Sequence, residues 1–176
     1  MPDLTRTAFR KPISLRRPQP EDGAAVWSLV RECAPLDENS MYCNLIQCDH
    51  FRDTCVLAER EEAVVGWISG HLMPADPRTL FVWQVAVAGA ARGEGLARRM
   101  LEELLARPDC AGVRQIKTTI TADNRASWAL FEGFAARTGA VLTHDPHYTR
   151  DRHFAGAHAT EHMATITLAE AARRAA

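Results

Sequence analysis

The sequence predicts an α/β domain: a mixed, mostly antiparallel sheet of about seven strands flanked on both faces by about four helices. Three observations carry that expectation. The run Leu80-Phe81-Val82-Trp83-Gln84-Val85-Ala86-Val87 is apolar almost throughout, as in a strand buried on both faces. It feeds Ala91-Arg92-Gly93-Glu94-Gly95-Leu96-Ala97, a glycine-bearing turn that opens an amphipathic helix. Around this unit, segments of strand and helix periodicity follow in the order β-α-α-β-β-β-α-β-α-β-β.

Ile13 to Arg17 alternates apolar and polar residues, as an edge strand does. Pro20-Glu21-Asp22 places proline and acids where a first helical turn wants them. Val26, Leu29, Val30 and Cys33 then recur at i, i+3, i+4 and i+7, a helix that Pro35 ends. Residues 39–50 read as a second short helix capped by Asn39 or Ser40. Thr54 to Glu59 and Ala63 to Leu72 read as a hairpin turning at Arg60-Glu61-Glu62, with a loop from Pro74 to Thr79. Leu96, Met100, Leu101 and Leu104 mark a helix from about Gly95 to Ala106 that Pro108 stops. Val113 to Thr121 is a strand and Asn124 to Phe134 a helix facing inward with Leu130, Phe131 and Phe134. Ala140 to Thr143 and Met163 to Leu168 complete the strands.

Composition narrows the function. The chain has 176 residues, 47% of them hydrophobic, which suits one core. Residues 1–12 read as a loose tail, 13–168 as the domain and 169–176 as a second tail. The net charge of −1 gives no electrostatic case for nucleic acid or an anionic membrane. No apolar run approaches the roughly 18 residues that span a bilayer, and the polar N-terminus lacks the apolar stretch of a signal peptide. Five cysteines without a C-x-x-C pair suggest neither a disulfide framework nor a zinc site. A cytoplasmic protein with reduced thiols is expected.

The turn implies a phosphorylated ligand. Helix N-termini carry unsatisfied N–H donors and the positive end of the dipole, and glycine lets backbone approach a ligand closely. The backbone N–H groups of Arg92, Gly93, Gly95 and Ala97 are the expected cradle for a pyrophosphate. The form Arg-x-x-Gly-x-Ala shown by Arg92 to Ala97, set in this element order and followed by Asn124 and Leu130-Phe131, resembles the GCN5-related N-acetyltransferase (GNAT) superfamily. The resemblance implies acetyl-CoA as co-substrate, with pantetheine lying along the central strand at Val85 and Val87. Asn124 stands where the superfamily has a CoA-contacting asparagine; it also suits a helix N-cap, and one side chain can serve both.

A narrower resemblance spans Ile13 to Leu168. Pro35-Leu36-Asp37-Glu38-Asn39-Ser40-Met41-Tyr42, His50-Phe51, Phe81 to Val87 and Thr118-Thr119-Ile120-Thr121 are similar to the diaminobutyrate N-γ-acetyltransferases of ectoine biosynthesis. This implies transfer of acetyl from acetyl-CoA to the γ-nitrogen of L-2,4-diaminobutyrate by a homodimer. It places Asp37, Asn39, Tyr42, Trp83 and Glu161 at the substrate, with Asp37, Tyr42 and Glu161 as catalytic candidates. Where that family tends to carry His-Asp-Glu-Glu-His, this chain reads His158-Ala159-Thr160-Glu161-His162, keeping one acid of two. Another small primary amine is the alternative acceptor.

The chemistry sets demands on such a site. An alkyl ammonium with a pKa near ~10 is about one part in a thousand neutral at pH 7, so making the free amine costs roughly 4 kcal/mol. Acids must hold one ammonium while the other nitrogen loses its proton. Phe131 stands where many superfamily members place a tyrosine acid and cannot donate a proton. A thiol pKa near ~8.5 lets the thiolate leave without one. His144-x-x-His147 and His158-x-x-x-His162 have ligand-like spacings but read as loop and strand, so no metal is expected.

Overall fold

The computed structural model describes residues 11–169; the expected terminal tails lie outside the described residues except for residues 11, 12 and 169. The strands are β1 (Ser14–Arg16), β2 (Val56–Arg60), β3 (Ala63–Met73), β4 (Asp76–Val87), β5 (Gln115–Thr121), β6 (Val141–Tyr148) and β7 (Glu161–Thr167). The helices are α1 (Gly23–Glu32), α2 (Met41–His50), α3 (Leu96–Leu105), α4 (Arg125–Thr138) and α5 (Arg150–Phe154). The strands form one sheet in the order β1-β2-β3-β4-β5-β7-β6.

Alternation along the strands builds a core on each face of the sheet. Val56, Ala58 and Ile68 pack on one side with Leu96, Met100, Leu101 and Leu104 of α3 and Phe131 and Phe134 of α4. Leu57 and Trp67, one residue out of phase, pack on the other with Val26, Leu29 and Val30 of α1. The second side covers only part of the sheet. On β6 every residue but Leu142 is exposed.

Two irregularities in the sheet position the site. All neighbouring strands are antiparallel except β4 and β5, which run parallel and pair only over Thr79–Phe81 with Gln115–Lys117. Beyond that point they diverge, and β4 from Val82 onward has no strand partner on that side among the described residues. The second irregularity is a bulge: Gly70 pairs with Val82 and Ser69 with Gln84, so Trp83 is the extra residue. The bulge inverts which face each side chain takes. Leu80 and Val82 lie in the α3–α4 core, whereas Ala86 lies in the α1 core.

Three expectations are corrected at the element level. β4 begins at Asp76 after a two-residue turn, where a loop to Thr79 was expected. β6 extends to Tyr148, beyond the expected Thr143. Helix α5 falls in a stretch expected to hold none. The cap of α2 is Ser40, whose Oγ accepts the Cys43 N–H at 3.1 Å.

Candidate active site

The gap between the diverging strands holds two cavities that share a wall. The first, about 320 Å³, is lined by Asp37, Asn39, Trp83, Gln84, Thr118 to Thr121, His158 and Glu161, among others. The second, about 290 Å³, is lined by Val85, Val87, Arg92, Ala97 and Asn124, among others. Pro35, Leu36, Val85, Asn124 and Ser127 border both, so the cavities meet beside the splayed part of β4.

The glycine turn delivers the expected helix terminus. Gly93 and Gly95 adopt φ of 78° and 68°, the left-handed region that favours glycine. Gly95 is the N-cap of α3 and supplies no side chain to its first amides, leaving that terminus suited to an anion. Glu94 in the turn pairs with Arg60 of β2 at 2.6 Å, tying the turn to the sheet. One expected donor is spent elsewhere: the Arg92 N–H donates to Gly89 O at 3.3 Å, closing the short helical turn before it. The Arg92 Nε donates to Val87 O at 3.2 Å. Asn124 caps α4, its Oδ1 accepting the Ser127 N–H at 3.1 Å, and also lines both cavities.

In the first cavity two acids and an imidazole converge. His158 Nε2 lies 3.4 Å from Asp37 Oδ2 and 3.9 Å from Glu161 Oε1. Donor atoms of the three residues lie within 4.8 Å of one another, a spacing that suits a cation. The His158 Nδ1 contacts Ala159 O at 2.8 Å. A carbonyl can only accept, so Nδ1 carries a proton, and in the neutral ring Nε2 is an acceptor. Three acceptors then face one another, the complement of an ammonium with its three N–H donors. Hydrogen bonding to Ala159 O, with the charges of Asp37 and Glu161, raises the His158 pKa above its ordinary value. Burial raises that of Glu161, whose Oε2 is buried without a hydrogen-bond partner among the described residues.

Trp83, pushed out by the bulge, is 48% exposed and walls this cavity. Asn39 Nδ2 donates to Gln84 Oε1 at 2.8 Å. Tyr42 does not join them. It sits near the start of α2 with 71% of its surface exposed, because that helix turns Asn44, Gln47 and Cys48 inward instead. Phe131 borders the cavity as a core residue, 1% exposed. The paired histidine spacings split up: His144 packs edge-on to Trp128, with ring centroids 5.0 Å apart, while His158 joins the acids. The sequence reading missed His158 and Gln84 as site residues; the only signal for His158 was its place in the His158–His162 run.

The family model for the acetyltransferase (GNAT) family matches residues 23–135. The L-2,4-diaminobutyric acid acetyltransferase of Methylotuvimicrobium alcaliphilum is 47% identical over 94% of this chain and 95% of that protein. This chain belongs to the GNAT family and, within it, to the diaminobutyric acid acetyltransferases. The Vibrio cholerae enzyme of the same name is 45% identical over 89% of this chain and 91% of its own. The solved structure of diaminobutyrate acetyltransferase EctA from Paenibacillus lautus, in complex with L-2,4-diaminobutyric acid and coenzyme A, is 41% identical. It superposes with a TM-score of 0.86 over 90% of this chain and 96% of that one. The loading GNAT-like domain of CurA from Lyngbya majuscula, 15% identical with a TM-score of 0.67, shares the GNAT fold.

Proposed function

We propose that this GNAT enzyme transfers the acetyl group of acetyl-CoA to the γ-nitrogen of L-2,4-diaminobutyrate, the acetylation step of ectoine biosynthesis. The observation that carries the reading is the convergence of Asp37, His158 and Glu161 in a cavity that opens, at Val85 and Asn124, into the groove leading to the glycine turn. Diaminobutyrate brings two ammonium groups, and the cavity brings two carboxylates to meet them.

In this mechanism the pyrophosphate of CoA rests at the N-terminus of α3, on N–H groups of the Gly93–Ala97 segment. The Arg92 side chain flanks it, and pantetheine runs beside Val85 and Val87. Asp37 holds one ammonium at the cavity mouth. Glu161, whose raised pKa makes it a stronger base than an ordinary carboxylate, takes the proton of the reacting one. The freed amine attacks the thioester carbon. The tetrahedral intermediate collapses with cleavage of the C–S bond; CoA leaves as the thiolate, and the second proton of the attacking nitrogen passes to water as the neutral amide forms. Phe131 offers that sulfur no proton, and a thiolate does not require one. Trp83 walls the substrate, and Asn39 shapes the segment that carries Asp37. Within one protomer Tyr42 lies outside this machinery.

The enzyme acts in the cytoplasm as a homodimer. Its described cysteines are all free, and no described helix is long and apolar enough to cross a membrane. The uncovered half of the sheet, where Met163, Thr165 and Phe81 border an open hollow, is the face that a second copy would cover. Light scattering should give twice the 19.5 kDa chain mass.

The regiochemistry of the product tests the reaction. Incubation with acetyl-CoA and L-2,4-diaminobutyrate should give a product whose proton NMR spectrum carries the acetyl amide on the γ-nitrogen. An α-acetylated product, or no product, contradicts the reading.

A further inference from the structure

The loop bearing Asp37 is irregular, yet the site needs its carboxylate held in place. Residues 35–40 form neither helix nor strand. From the α1 side, Trp27 Nε1 donates to Asn39 O at 3.1 Å. From the sheet side one residue holds the segment twice: Gln84 Nε2 donates to Asp37 O at 2.7 Å, and Gln84 Oε1 accepts from Asn39 Nδ2 at 2.8 Å. The amide orientation is fixed by its partners, since the Asp37 carbonyl can only accept.

Gln84 is an unusual residue for its position. It lies on the central strand, 6% exposed, within an otherwise apolar run. A buried amide is costly unless it is bonded. This one is bonded to the segment that carries a site acid rather than to its own sheet. The Trp83 bulge turns Gln84 toward that segment, and Ser69 Oγ accepts the Gln84 N–H at 3.2 Å, fixing its main chain beside the bulge. One bulge therefore does two things: it pushes Trp83 into the cavity and turns Gln84 onto the loop behind Asp37.

We infer that Gln84 is a positioning residue for the amine substrate, acting through Asp37: its side-chain amide fixes the Asp37–Asn39 backbone so that the Asp37 carboxylate faces His158 and Glu161. The inference rests on the reading of Asp37 as an ammonium-holding residue and goes beyond it. Among the described residues the Gln84 side chain makes no hydrogen bond to either site carboxylate or to the imidazole; its bonds go to the Asp37 carbonyl and the Asn39 side chain.

The test compares Gln84→Met, Asp37→Asn and the double variant in the full-length enzyme. Gln84→Met keeps the side-chain length and removes both hydrogen bonds. Losing two bonds of ordinary strength should raise the diaminobutyrate KM about tenfold, with the acetyl-CoA KM within about twofold. Asp37→Asn should raise the same KM, and adding Gln84→Met to it should cost less than about twofold more, because the two act through one carboxylate. Gln84→Glu keeps the acceptor for Asn39 but sets an anionic oxygen against the Asp37 carbonyl, and should show the same split. Amide hydrogen exchange in residues 36–39 should quicken in Gln84→Met while that of β3 stays unchanged. Equal rises in both KM values, full additivity with Asp37→Asn, or unchanged exchange in the loop would overturn the role of Gln84. A diaminobutyrate KM unmoved by Asp37→Asn would instead overturn the reading of Asp37, so the two failures are distinct.

Discussion

Asp37 Oδ2 lies 3.4 Å from His158 Nε2, although one residue follows α1 and the other precedes the last strand. The imidazole is thus a rival for the acids that are to hold the substrate. Its raised pKa keeps the proton on His158 to higher pH than usual, and a protonated His158 repels an incoming ammonium. Binding should therefore strengthen as pH rises through that raised value. The diaminobutyrate KM is expected to fall between about pH 6 and about pH 8.5 while the acetyl-CoA KM stays level. His158→Gln should flatten the trend; a KM that rises with pH in the wild type would contradict it.

Glu161 sets function against stability. Burial raises its pKa, so the folded state binds the proton more tightly than the unfolded chain does. A group raised in the fold favours folding below its folded pKa, and the advantage is lost as pH rises through it. Glu161→Gln removes this ionisation. Its Tm should exceed the wild type's at pH 8 by about 2 °C, and the gap should narrow as pH falls through the raised value, closing only below the ordinary glutamate value of about 4.5. The same variant should raise the diaminobutyrate KM at least about tenfold and lower kcat. A Tm below the wild type's at pH 8 would show that the charge contributes more by pairing with His158 than it costs by burial.

Gly95 should tolerate side chains in an order set by backbone, not by space. At φ 68° an added Cβ meets only the Arg98 guanidinium, at 3.5 Å. Forcing an alanine into the left-handed region costs about 1–2 kcal/mol, less for asparagine. Thermal melts should rank wild type above Gly95→Asn above Gly95→Ala, with the acetyl-CoA KM rising in the reverse order. A steric ranking, with alanine the milder, would contradict this.

Arg60 and Glu94 join the turn to β2 at 2.6 Å, with side chains 14% and 27% exposed. Arg60→Met should therefore loosen the turn without reaching the amine cavity. The expected outcome is a lower Tm and an acetyl-CoA KM raised about three- to tenfold, with the diaminobutyrate KM within about twofold, since partly buried pairs exceed the value of exposed ones. An unchanged acetyl-CoA KM would show that the turn holds its shape without the pair.

The sequence made the strongly periodic parts of the fold readable. Val26, Leu29 and Val30 mark α1, and Leu96, Met100, Leu101 and Leu104 mark α3, because each set buries one helical face. The continuation of β6 from His144 to Tyr148 escaped because its residues are exposed and mostly polar, so no alternation marks the strand beyond Thr143. Helix α5 spans Arg150–Phe154 only, too short for a helical period to register. At the site, Asp37, Asn39, Trp83, Glu161, Val85, Val87, Arg92, Ala97 and Asn124 all line the two cavities. Gly93 and Gly95 form the turn. His158 and Gln84 were not legible as site residues, because a bulge in a continuous apolar run leaves no mark in one sequence and His158 meets the acids only through tertiary folding. Tyr42 lies away from both cavities within this chain, and its motif position does not reveal which face of α2 it takes.

If Asp37 anchors one ammonium and Glu161 takes the proton of the other, the distance between the two nitrogens of the acceptor decides the rate, and kcat/KM across a diamine series measures that dependence. Release of free thiol should be followed with L-2,4-diaminobutyrate, ornithine and lysine under one acetyl-CoA concentration. Each added methylene moves the reacting nitrogen by about 1 Å relative to the anchored end, and displacement on that scale costs about a hundredfold. The expected result is a preference for diaminobutyrate over ornithine of about that size, and a larger one over lysine. Equal kcat/KM values across the three amines would show that the cavity does not select diaminobutyrate.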